Sequence, residues 1–223
     1  MPITLTEARF ALRERLDEPN ARAWSDTELE RWLNEGAKDI ARKTECLQAE
    51  ASLSFAAGVN QATLPTNCIR VHRAEWLGSG RQLPLTYQDF NSSVAVSWVD
   101  NTTNQGTPHL FTMWGVGGGI KVILYPTPAV AGTLKVWYYK LPTAPTTELG
   151  VYDLPEGWED AMYEHATAAA LRRDRDPRWQ EAKAQYDEVL GALFDVTRRY
   201  SDQSGQIVGD YPAVNAWLYE FGG

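Results

Sequence analysis

Apolar residues recur at a helical spacing near both ends of the chain and at a strand-like spacing between them. Within residues 4–16 the apolar stripe consists of Leu5, Ala8, Leu12 and Leu16. Apolar residues that recur every three to four positions indicate an amphipathic helix. We therefore predict a first helix at residues 4–16 that buries one face.

Polar residues mark where the two N-terminal helices begin. Thr4 or Thr6 is suited to cap the first helix, because a hydroxyl at this position accepts a hydrogen bond from a free backbone N–H. Ser25, followed three residues later by Glu28, forms a capping box that predicts the start of a second helix. Gly36 interrupts the apolar pattern of this helix and costs about 1 kcal/mol relative to Ala, so we expect another helix to approach closely there.

Two further apolar stripes at helical spacing predict a pair of C-terminal helices. The first stripe contains Trp158, Ala161, Met162, His165 and Ala169, and the second contains Trp179, Ala182, Tyr186, Val189, Leu190, Leu193, Val196 and Tyr200. Asp176 is suited to cap the second of these helices, with Pro177 at its first position. We expect the helices at 157–173 and 178–200 to pack against the helix at 26–45, because apolar stripes of this width are normally buried against another element.

Between residues 48 and 141 the pattern is typical of β-strands. The alternation of apolar residues and serines at 51–55 predicts a first strand, and a turn at Gly58 predicts a return strand at 62–64. Further runs rich in β-branched and aromatic residues are 69–77, 110–114, 120–125 and 134–139.

Two parts of this β region have features of their own. The stretch 88–107 is long, polar and weakly patterned, which predicts an exposed loop, and long loops in compact domains are often functional.

In the run 134–139 both faces are bulky, since Trp137 and Tyr139 alternate with other large apolar residues. Helices or a neighbouring subunit are therefore expected to cover the second face.

The composition adds aromatic residues and acidic charge to this pattern. Among the 223 residues there are nine tryptophans and ten tyrosines, and the net charge is −8. Aromatic residues supply large buried areas and are enriched at protein interfaces, so a large core and subunit contacts both remain open. An acidic chain does not bind phosphate groups over much of its surface. An acidic wall nevertheless suits a channel through which DNA slides, because it repels the DNA backbone.

The cysteines and the N-terminal sequence indicate the compartment. The single pair Cys46 and Cys68 is no disulfide framework in a chain of this size, and two free buried thiols are favoured over a disulfide. Residues 1–16 lack the apolar core and cleavage site of a signal peptide, and no apolar run approaches the ~18–20 residues of a membrane span. We therefore expect a protein that is made in a cytoplasm and does not associate with a membrane.

Residues that commonly carry chemistry do not occur at catalytic spacings. His72, His109 and His165 lie far apart without metal-ligand spacing, and His165, on an apolar helix face, is interpreted as a core histidine with a satisfied hydrogen bond. The glycine run at 115–119 lacks the Gly-Lys-Ser/Thr sequence of a phosphate-binding loop, which favours a flexible hairpin turn. We therefore expect no enzymatic activity, no cofactor and no metal.

Basic residues are densest in the segment 172–178. Contact with a nucleic acid is one interpretation of this cluster. A solvated turn with local ion pairs is favoured, because arginine near a helix C-terminus is stabilised by the helix dipole.

Residues 201–223 form a tail that combines polar and aromatic character. Its first residues bury too little surface to order themselves, whereas Tyr211, Trp217, Tyr219 and Phe221 are costly to leave in water. Alternating aromatic residues are typical of an extended segment with anchors on one face. We predict a tail that is flexible in the free monomer and docks on a neighbour through these four residues; folding onto its own helices is the alternative.

Several short segments recur in a recognisable order. The first comprises Trp24, Ser25, Glu28 and Leu29, continued along the helix by Leu33, Asn34, Glu35 and Gly36, and the second comprises Gly58, Gln61, Leu64 and Pro65. A Tyr-Pro-x-Pro turn between two strands follows, and then a closing helix pair with a turn rich in Arg and Asp. In this order the segments resemble the tailed-bacteriophage head–tail adaptor (connector) proteins, over roughly residues 5–195.

The resemblance implies a structural role. Such adaptors form a ring of about twelve copies beneath the portal, join the DNA-filled head to the tail and line the channel through which the DNA leaves. The implied location is the head–tail interface of the virion, with assembly in the host cytoplasm. The implied partners are the portal protein, which the tail residues would contact, tail or nozzle proteins, and further copies of the chain; genomic DNA would pass without sequence-specific binding.

The predicted fold class is α+β, with a helical bundle from the N- and C-terminal helices, an inserted, mostly antiparallel β-domain and an extended C-terminal tail. The predicted boundaries are 1–47 for the N-terminal helices, 48–142 for the β-domain, 143–200 for the C-terminal helices and 201–223 for the tail. A tail-completion or tube-capping protein of the same virion is the alternative function. A small hydrolase or a nucleic-acid-processing factor is a further alternative, and no sequence feature supports it.

Overall fold

The computed structural model describes most of the chain. The described residues are 3–18, 23–78, 80–91, 97–98, 102–116 and 119–204, with only the backbone described for 116 and 196–204. Within them the chain forms four α-helices and ten β-strands. The predicted α+β class with mostly antiparallel sheets is confirmed.

The helices lie at the two ends of the described chain and the strands lie between them. The helices are α1 (Leu5–Arg15), α2 (Asp26–Thr44), α3 (Glu159–Arg173) and α4 (Trp179–Ser204). The strands are β1 (Gln48–Phe55), β2 (Gln61–Thr63), β3 (Cys68–Gly78), β4 (Arg81–Pro84), β5 (Thr86–Tyr87), β6 (Gln105–Gly106), β7 (Leu110–Val116), β8 (Gly119–Tyr125), β9 (Thr127–Pro128) and β10 (Gly132–Lys140).

Both N-terminal helices begin at capping boxes. Thr4 caps α1: its hydroxyl oxygen accepts the backbone N–H of Glu7 at 3.3 Å, and the Glu7 carboxylate accepts the N–H of Thr4 at 2.9 Å. Ser25 and Glu28 form the same reciprocal pair at the start of α2. These bonds satisfy backbone donors that a helix start leaves free, and they confirm the predicted caps.

The four helices contribute to one hydrophobic core, in which α2 packs against α3 and α4. Arg173 at the end of α3 pairs with Glu28 at the start of α2 at 2.6 Å, so these two helices run antiparallel. After a short turn, α4 follows the direction of α2. The helices approach closely at Gly36, where a Cβ would lie 3.1 Å from the carbonyl oxygen of Met162. The close helix–helix approach predicted at Gly36 is confirmed.

Two four-stranded sheets contribute to a second hydrophobic core. The first sheet has the order β1-β10-β3-β4 and is antiparallel throughout. The second has the order β2-β8-β7-β5, in which only β5 pairs in parallel. The strands β6 and β9 form a short parallel pair.

The predicted return strand pairs with a different partner. The strand β2 does follow the turn at Gly58, but it pairs with β8, while β1 pairs with β10. Residues 56–60 therefore carry the chain from one sheet to the other instead of closing a hairpin. The pairing is decided by strands that lie some 60 to 90 positions further along the chain, and a local turn signal carries no information about them.

The outer face of the first sheet is covered by its own charged side chains. Trp137 lies between the guanidinium of Arg73, 5.0 Å from the ring centre, and the ammonium of Lys135, at 4.9 Å. Arg70 lies 5.3 Å from the ring centre of Tyr139. Cations placed over aromatic faces are stabilising, so these residues shield the rings that were expected to need a helix or a neighbouring subunit.

The described part of the stretch 88–107 is not simply an exposed loop. Trp98 is 1% exposed and stacks on Tyr125, with 4.7 Å between the ring centres. The side-chain amide of Asn60 donates a hydrogen bond to the carbonyl oxygen of Trp98 at 2.8 Å. The prediction is therefore wrong at this position, because one aromatic residue within a polar stretch anchors the loop on the second sheet.

The two cores meet where the chain passes between them. The N–H of Lys140 donates to the carbonyl oxygen of Leu47 at 2.9 Å, so the two ends of the β region lie side by side. The ammonium of Lys140 also pairs with Asp153, and Arg70 pairs with Glu45. These ion pairs fasten the first sheet to the helical part.

Candidate functional site

The residues predicted to anchor the tail, Tyr211, Trp217, Tyr219 and Phe221, lie outside the described residues, as does the rest of 205–223. Their role in binding the portal or a neighbouring subunit stays a prediction. The described residues carry exposed apolar surfaces of their own, which the sequence did not predict.

The three histidines lie on separate elements. His72 is on β3, with its ring centre 5.0 Å from that of Tyr139. His109 is exposed just before β7, and His165 is on α3. Across the described ranges, no three His, Cys, Asp or Glu side chains are grouped as metal ligands would be. The described helices also include none with the length and apolar character of a membrane span.

His165 packs in the helical core, but one of its nitrogens has no hydrogen-bond partner among the described residues. Its ring meets that of Tyr186 edge-on, with 5.3 Å between the centres, and its Nδ1 is buried. Burial lowers the pKa of His165 even though the carboxylate of Asp39 opposes this effect, so the ring is neutral at pH 7. The position in the helical core agrees with the interpretation as a core histidine, and the expected hydrogen bond is not formed at Nδ1 by any described residue.

The glycine run at 115–119 lies at a hairpin, as predicted. The strands β7 and β8 pair as far as Val116 and Gly119. Gly119 has a φ of +120°, which only glycine adopts without strain. Because a strand and not a helix follows this turn, it offers no helix N-terminus to a phosphate.

Arginines of the turn at 172–178 form ion pairs with nearby carboxylates. Arg173 pairs with Glu28 at 2.6 Å, and Arg178 pairs with Asp176 at 2.8 Å. The carboxylate of Asp176 also accepts the backbone N–H of Arg178 at 2.9 Å, which leads the chain into α4. These contacts favour a structural turn over a nucleic-acid contact.

Both cysteines are free, as predicted. Burial raises the pKa of the Cys68 thiol to about 11. Cys46 is only half-buried, but burial is again the main cause that raises its pKa. Thiols with raised pKa values stay protonated near neutral pH and are poor nucleophiles.

The first exposed apolar surface lies beside α1. Phe10 is 61% exposed and Leu149 is 82% exposed, and Val151 is exposed as well. The segment that carries the last two lies along the start of α1, because the N–H of Leu5 donates to the carbonyl oxygen of Gly150 at 2.8 Å. We call Phe10, Leu149 and Val151 the α1 patch. Their exposure makes them candidates for an interaction surface, since a contiguous exposed apolar patch marks such a site.

Ion pairs hold the α1 patch in position. The guanidinium of Arg9 reaches the carboxylate of Glu148 and, at 2.9 Å, that of Glu30 on α2. The hydroxyl of Thr6 donates to the carbonyl oxygen of Glu148 at 3.1 Å. The patch is therefore fixed to α1 and α2 before any partner binds.

The second exposed apolar surface lies where α4 extends past α3. The two helices are antiparallel, and α4 has 26 residues against 15 in α3, a difference of 11 residues or about 16 Å. Phe194 is 42% exposed and lies near the start of this extension, while Leu190 and Leu193 pack partly into the core. We call the part of α4 from Phe194 onward the α4 extension.

Most of the described tryptophans are buried in the hydrophobic cores. The buried ones are Trp24, Trp32, Trp76, Trp98 and Trp158. Trp114, Trp137 and Trp179 are partly exposed. The aromatic composition is therefore explained mainly by two cores, and it leaves few described tryptophans for subunit contacts.

A structural subunit and an enzyme are the interpretations that remain. The described side chains form no metal-ligand group that would favour an enzyme, so the choice is made by comparison with known families. The SU10 adaptor protein family matches residues 3–209, nearly the whole chain. The chain belongs to the SU10 adaptor protein family. The resemblance to phage adaptors is thereby confirmed. As an adaptor, the protein is a structural component of a phage particle and not an enzyme.

Among solved structures, the adaptor is similar to a chain described as "Neck of empty GTA particle computed with C6 symmetry". The two chains are 13% identical, the alignment covers 75% of this chain and 80% of that chain, and the TM-score is 0.29. A TM-score this low does not establish a shared fold. No curated protein matches the adaptor.

Proposed function

We propose that this adaptor forms a homo-oligomeric ring of about twelve copies beneath the portal of a tailed phage. In this position it joins the head to the tail and lines the channel through which DNA leaves. Membership of the adaptor family supports a joining role. The portal and tail or nozzle proteins are the partners, and the protein is assembled into the virion from the host cytoplasm.

The observation that carries the ring is the presence of apolar surfaces on two separate elements. The residues of the α1 patch and Phe194, at the start of the α4 extension, are exposed, and they lie on different elements of the chain. A head-to-tail contact joins two different surfaces of neighbouring copies, and such contacts generate rings when the rotation closes. A single exposed patch would instead favour a two-fold dimer.

The charge of the chain supports a channel role. The net charge is −8, and an acidic wall repels the phosphate backbone of DNA. DNA would therefore pass the ring without sequence-specific binding. The proposed role uses no cofactor, metal or membrane.

In this proposal the N- and C-terminal helices act as one bundle within the ring, and the tail at 201–223 extends from it. Tyr211, Trp217, Tyr219 and Phe221 would dock on the portal or on an adjacent subunit, because aromatic anchors commonly dominate binding. Deletion of 208–223 should leave a soluble, folded protein that no longer attaches to the portal. Aggregation or unfolding of the shortened chain would show that the tail belongs to the core.

The ring contact is tested at the α1 patch. The double substitution Phe10→Ser and Leu149→Ser should reduce the number of copies that native mass spectrometry finds on the portal, because it removes exposed apolar area without touching a core. The matched control is Val59→Ser with Val130→Ser, two exposed residues at the β turns, and it should leave the copy number unchanged. A full ring formed by the Phe10→Ser and Leu149→Ser variant contradicts the proposed contact. A wild-type ring that binds the tail but not the portal would instead identify a tail-completion protein.

A further inference from the structure

The longest open edge among the described strands belongs to β1. This strand lies at the end of the first sheet and pairs only with β10, over all eight of its residues. The other edge strands of the two larger sheets are short: β4 has four residues and ends in Pro84, β2 has three residues and β5 has two. Natural proteins usually shorten or disrupt exposed edges, and β1 contains no proline and no register shift against β10.

The direction of the free backbone groups follows from the hydrogen-bond pattern. The N–H of Lys140 donates to the carbonyl oxygen of Leu47, so these two residues form a hydrogen-bonded antiparallel pair. Such pairs alternate along a ladder, and the next ones join Ala49, Ala51, Leu53 and Phe55 to β10. The N–H and C=O groups of the residues between them, Gln48, Glu50, Ser52 and Ser54, therefore point away from the sheet, and no described residue bonds to them.

The inner face of this edge is apolar and built from small residues. Ala49, Ala51 and Leu53 are only partly buried and pack against the core between the sheets. A strand added beside β1 would place alternate side chains next to these residues, with Cβ atoms about 5 Å apart. Two alanines leave room there for large side chains. The edge thus fits a segment in which every second residue is aromatic.

The chain itself contains such a segment. Residues 216–221 read Ala-Trp-Leu-Tyr-Glu-Phe, with Trp217, Tyr219 and Phe221 at alternate positions. In a strand these three side chains lie on one face, and backbone hydrogen bonds to an exposed edge supply affinity while alternate side chains supply specificity. The six-residue segment contains no proline and is shorter than β1.

The tail starts on the correct side of the molecule. Tyr186 of α4 donates a hydrogen bond to Asp39, near the end of α2 that leads into β1. From Tyr186 to Ser204 there are 18 further residues, so α4 continues for about 27 Å in that direction. The 11 residues 205–215 can span about 35–40 Å more. The linker is therefore long enough to carry the aromatic segment beyond its own helices.

We propose that residues 216–221 of one copy add as an extra strand to the free edge of β1 in the neighbouring copy, with Trp217, Tyr219 and Phe221 over Ala49, Ala51 and Leu53. This inference rests on the proposed ring, and it adds a second contact between neighbouring copies to the one proposed at the α1 patch. The contact is head-to-tail, since it joins a tail to an edge and leaves each copy one free edge and one free tail until the ring closes.

The test uses two variants of the full chain, each lacking one half of the contact. The edge variant is Ser52→Pro, which blocks the added strand without removing a bond to β10, because the N–H of Ser52 points outward. The tail variant is Trp217→Ser, Tyr219→Ser and Phe221→Ser. Each variant alone should stay monomeric in analytical ultracentrifugation, whereas their mixture should form a complex of one copy of each, because one supplies the tail and the other the edge.

A second measurement does not depend on the proline variant. The tail variant, labelled with ¹⁵N and titrated with unlabelled wild-type chain, should show amide shifts at 48–55 and slowed hydrogen exchange at Gln48, Glu50, Ser52 and Ser54. Substitution of Leu218→Ser and Glu220→Ser, on the opposite face of the segment, should preserve the association. Absence of both the mixed complex and the amide shifts overturns the inference. Attachment of the wild-type chain to the portal is measured separately, so a chain that attaches but shows no edge contact overturns this inference and leaves the proposed function standing.

Discussion

A Cβ at Gly36 of α2 would lie 3.1 Å from the carbonyl oxygen of Met162 on α3, so the two helices touch backbone to backbone at this point. Ordinary van der Waals contacts of a Cβ are longer, at 3.4–4 Å. The position of α3 on α2 therefore depends on the absence of a side chain at residue 36, even though glycine is a poor helix former.

Substitution of Gly36 is expected to separate packing from helix propensity. Gly36→Ala should lower the free energy of unfolding by about 1 kcal/mol, because the backbone of α3 must shift and overpacking is costly. Gly191→Ala on α4 is the matched control: its Cβ would meet nothing within 4 Å, so it should raise stability by up to about 1 kcal/mol. Equal effects in urea unfolding would show that the helices are not in close contact.

Truncation of core leucines should follow their burial. Leu33→Ala is expected to cost about 2–5 kcal/mol, because Leu33 is 0% exposed. Leu193 is only partly buried, so Leu193→Ala should cost clearly less, and Leu149→Ala on the surface should change stability by no more than about 0.5 kcal/mol. Denaturant unfolding of the three variants checks the order, and a cost below 1 kcal/mol for Leu33→Ala is incompatible with the described core.

Arg13 holds the N-terminal segments together through a largely buried ion pair. Its guanidinium lies 3.3 Å from Glu18 and 2.7 Å from Asp26, and it donates to the carbonyl oxygen of Trp24 at 3.1 Å. Arg13→Ala should cost about 3–5 kcal/mol, because it removes one partner of a buried pair. The control is Arg31→Ala, which breaks an exposed pair on α2 and should cost no more than about 0.5 kcal/mol. Similar melting temperatures for the two variants would contradict this account.

The hydrogen bond from Tyr186 to Asp39 should make stability depend on pH. Burial opposes ionisation of Asp39, but hydrogen bonds from Lys43 and Tyr186 outweigh it and lower its pKa below the ordinary 3.8. A lowered pKa adds stability that is fully present above the unfolded value and is lost as the pH falls through the folded value. Tyr186→Phe should therefore cost about 1–2 kcal/mol at pH 7, and the difference from wild type should shrink below about pH 4.

Tyr163→Phe is the matched control for this prediction. The hydroxyl of Tyr163 is buried and has no hydrogen-bond partner among the described residues, so its removal should be neutral or slightly stabilising. NMR titration of the Asp39 carboxyl gives a direct check, since its pKa should rise in Tyr186→Phe and stay unchanged in Tyr163→Phe. An unchanged pKa in both variants would mean that the hydroxyl does not reach Asp39 in solution.

The features predicted correctly from sequence are those that depend on a few neighbouring residues. The caps at Thr4 and Ser25 each involve a partner three residues away, and the tight approach at Gly36 is indicated by an unfavourable residue in a helical pattern. The partner of β1 and the burial of Trp98 depend on distant segments. They were therefore predicted wrongly, because alternation and polarity report how a segment is exposed and not which segment it meets.

The interaction surfaces show the same division. Phe10 and Leu149 look like ordinary apolar residues in sequence, and their exposure follows only from the packing of the segment around Gly150 on α1. The alternation of aromatic residues in the tail is a local pattern that the sequence shows, but these residues lie outside the described part of the chain, so their docking stays a prediction. The lack of a hydrogen-bond partner at Nδ1 of His165 could not be predicted, since the residues around this ring, such as Gly36, lie some 130 positions away in the chain.

The hydrogen bond between Lys140 and Leu47 has an evolutionary consequence. The β region leaves and rejoins the helices at points one backbone hydrogen bond apart, which is the geometry that makes domain insertion tolerable. Recombination can therefore exchange the whole segment for another of different length, as long as its ends meet, without altering a single contact in the helical core. Variation among related adaptors should accordingly collect between these two residues, so that one helical scaffold can carry β regions of different design.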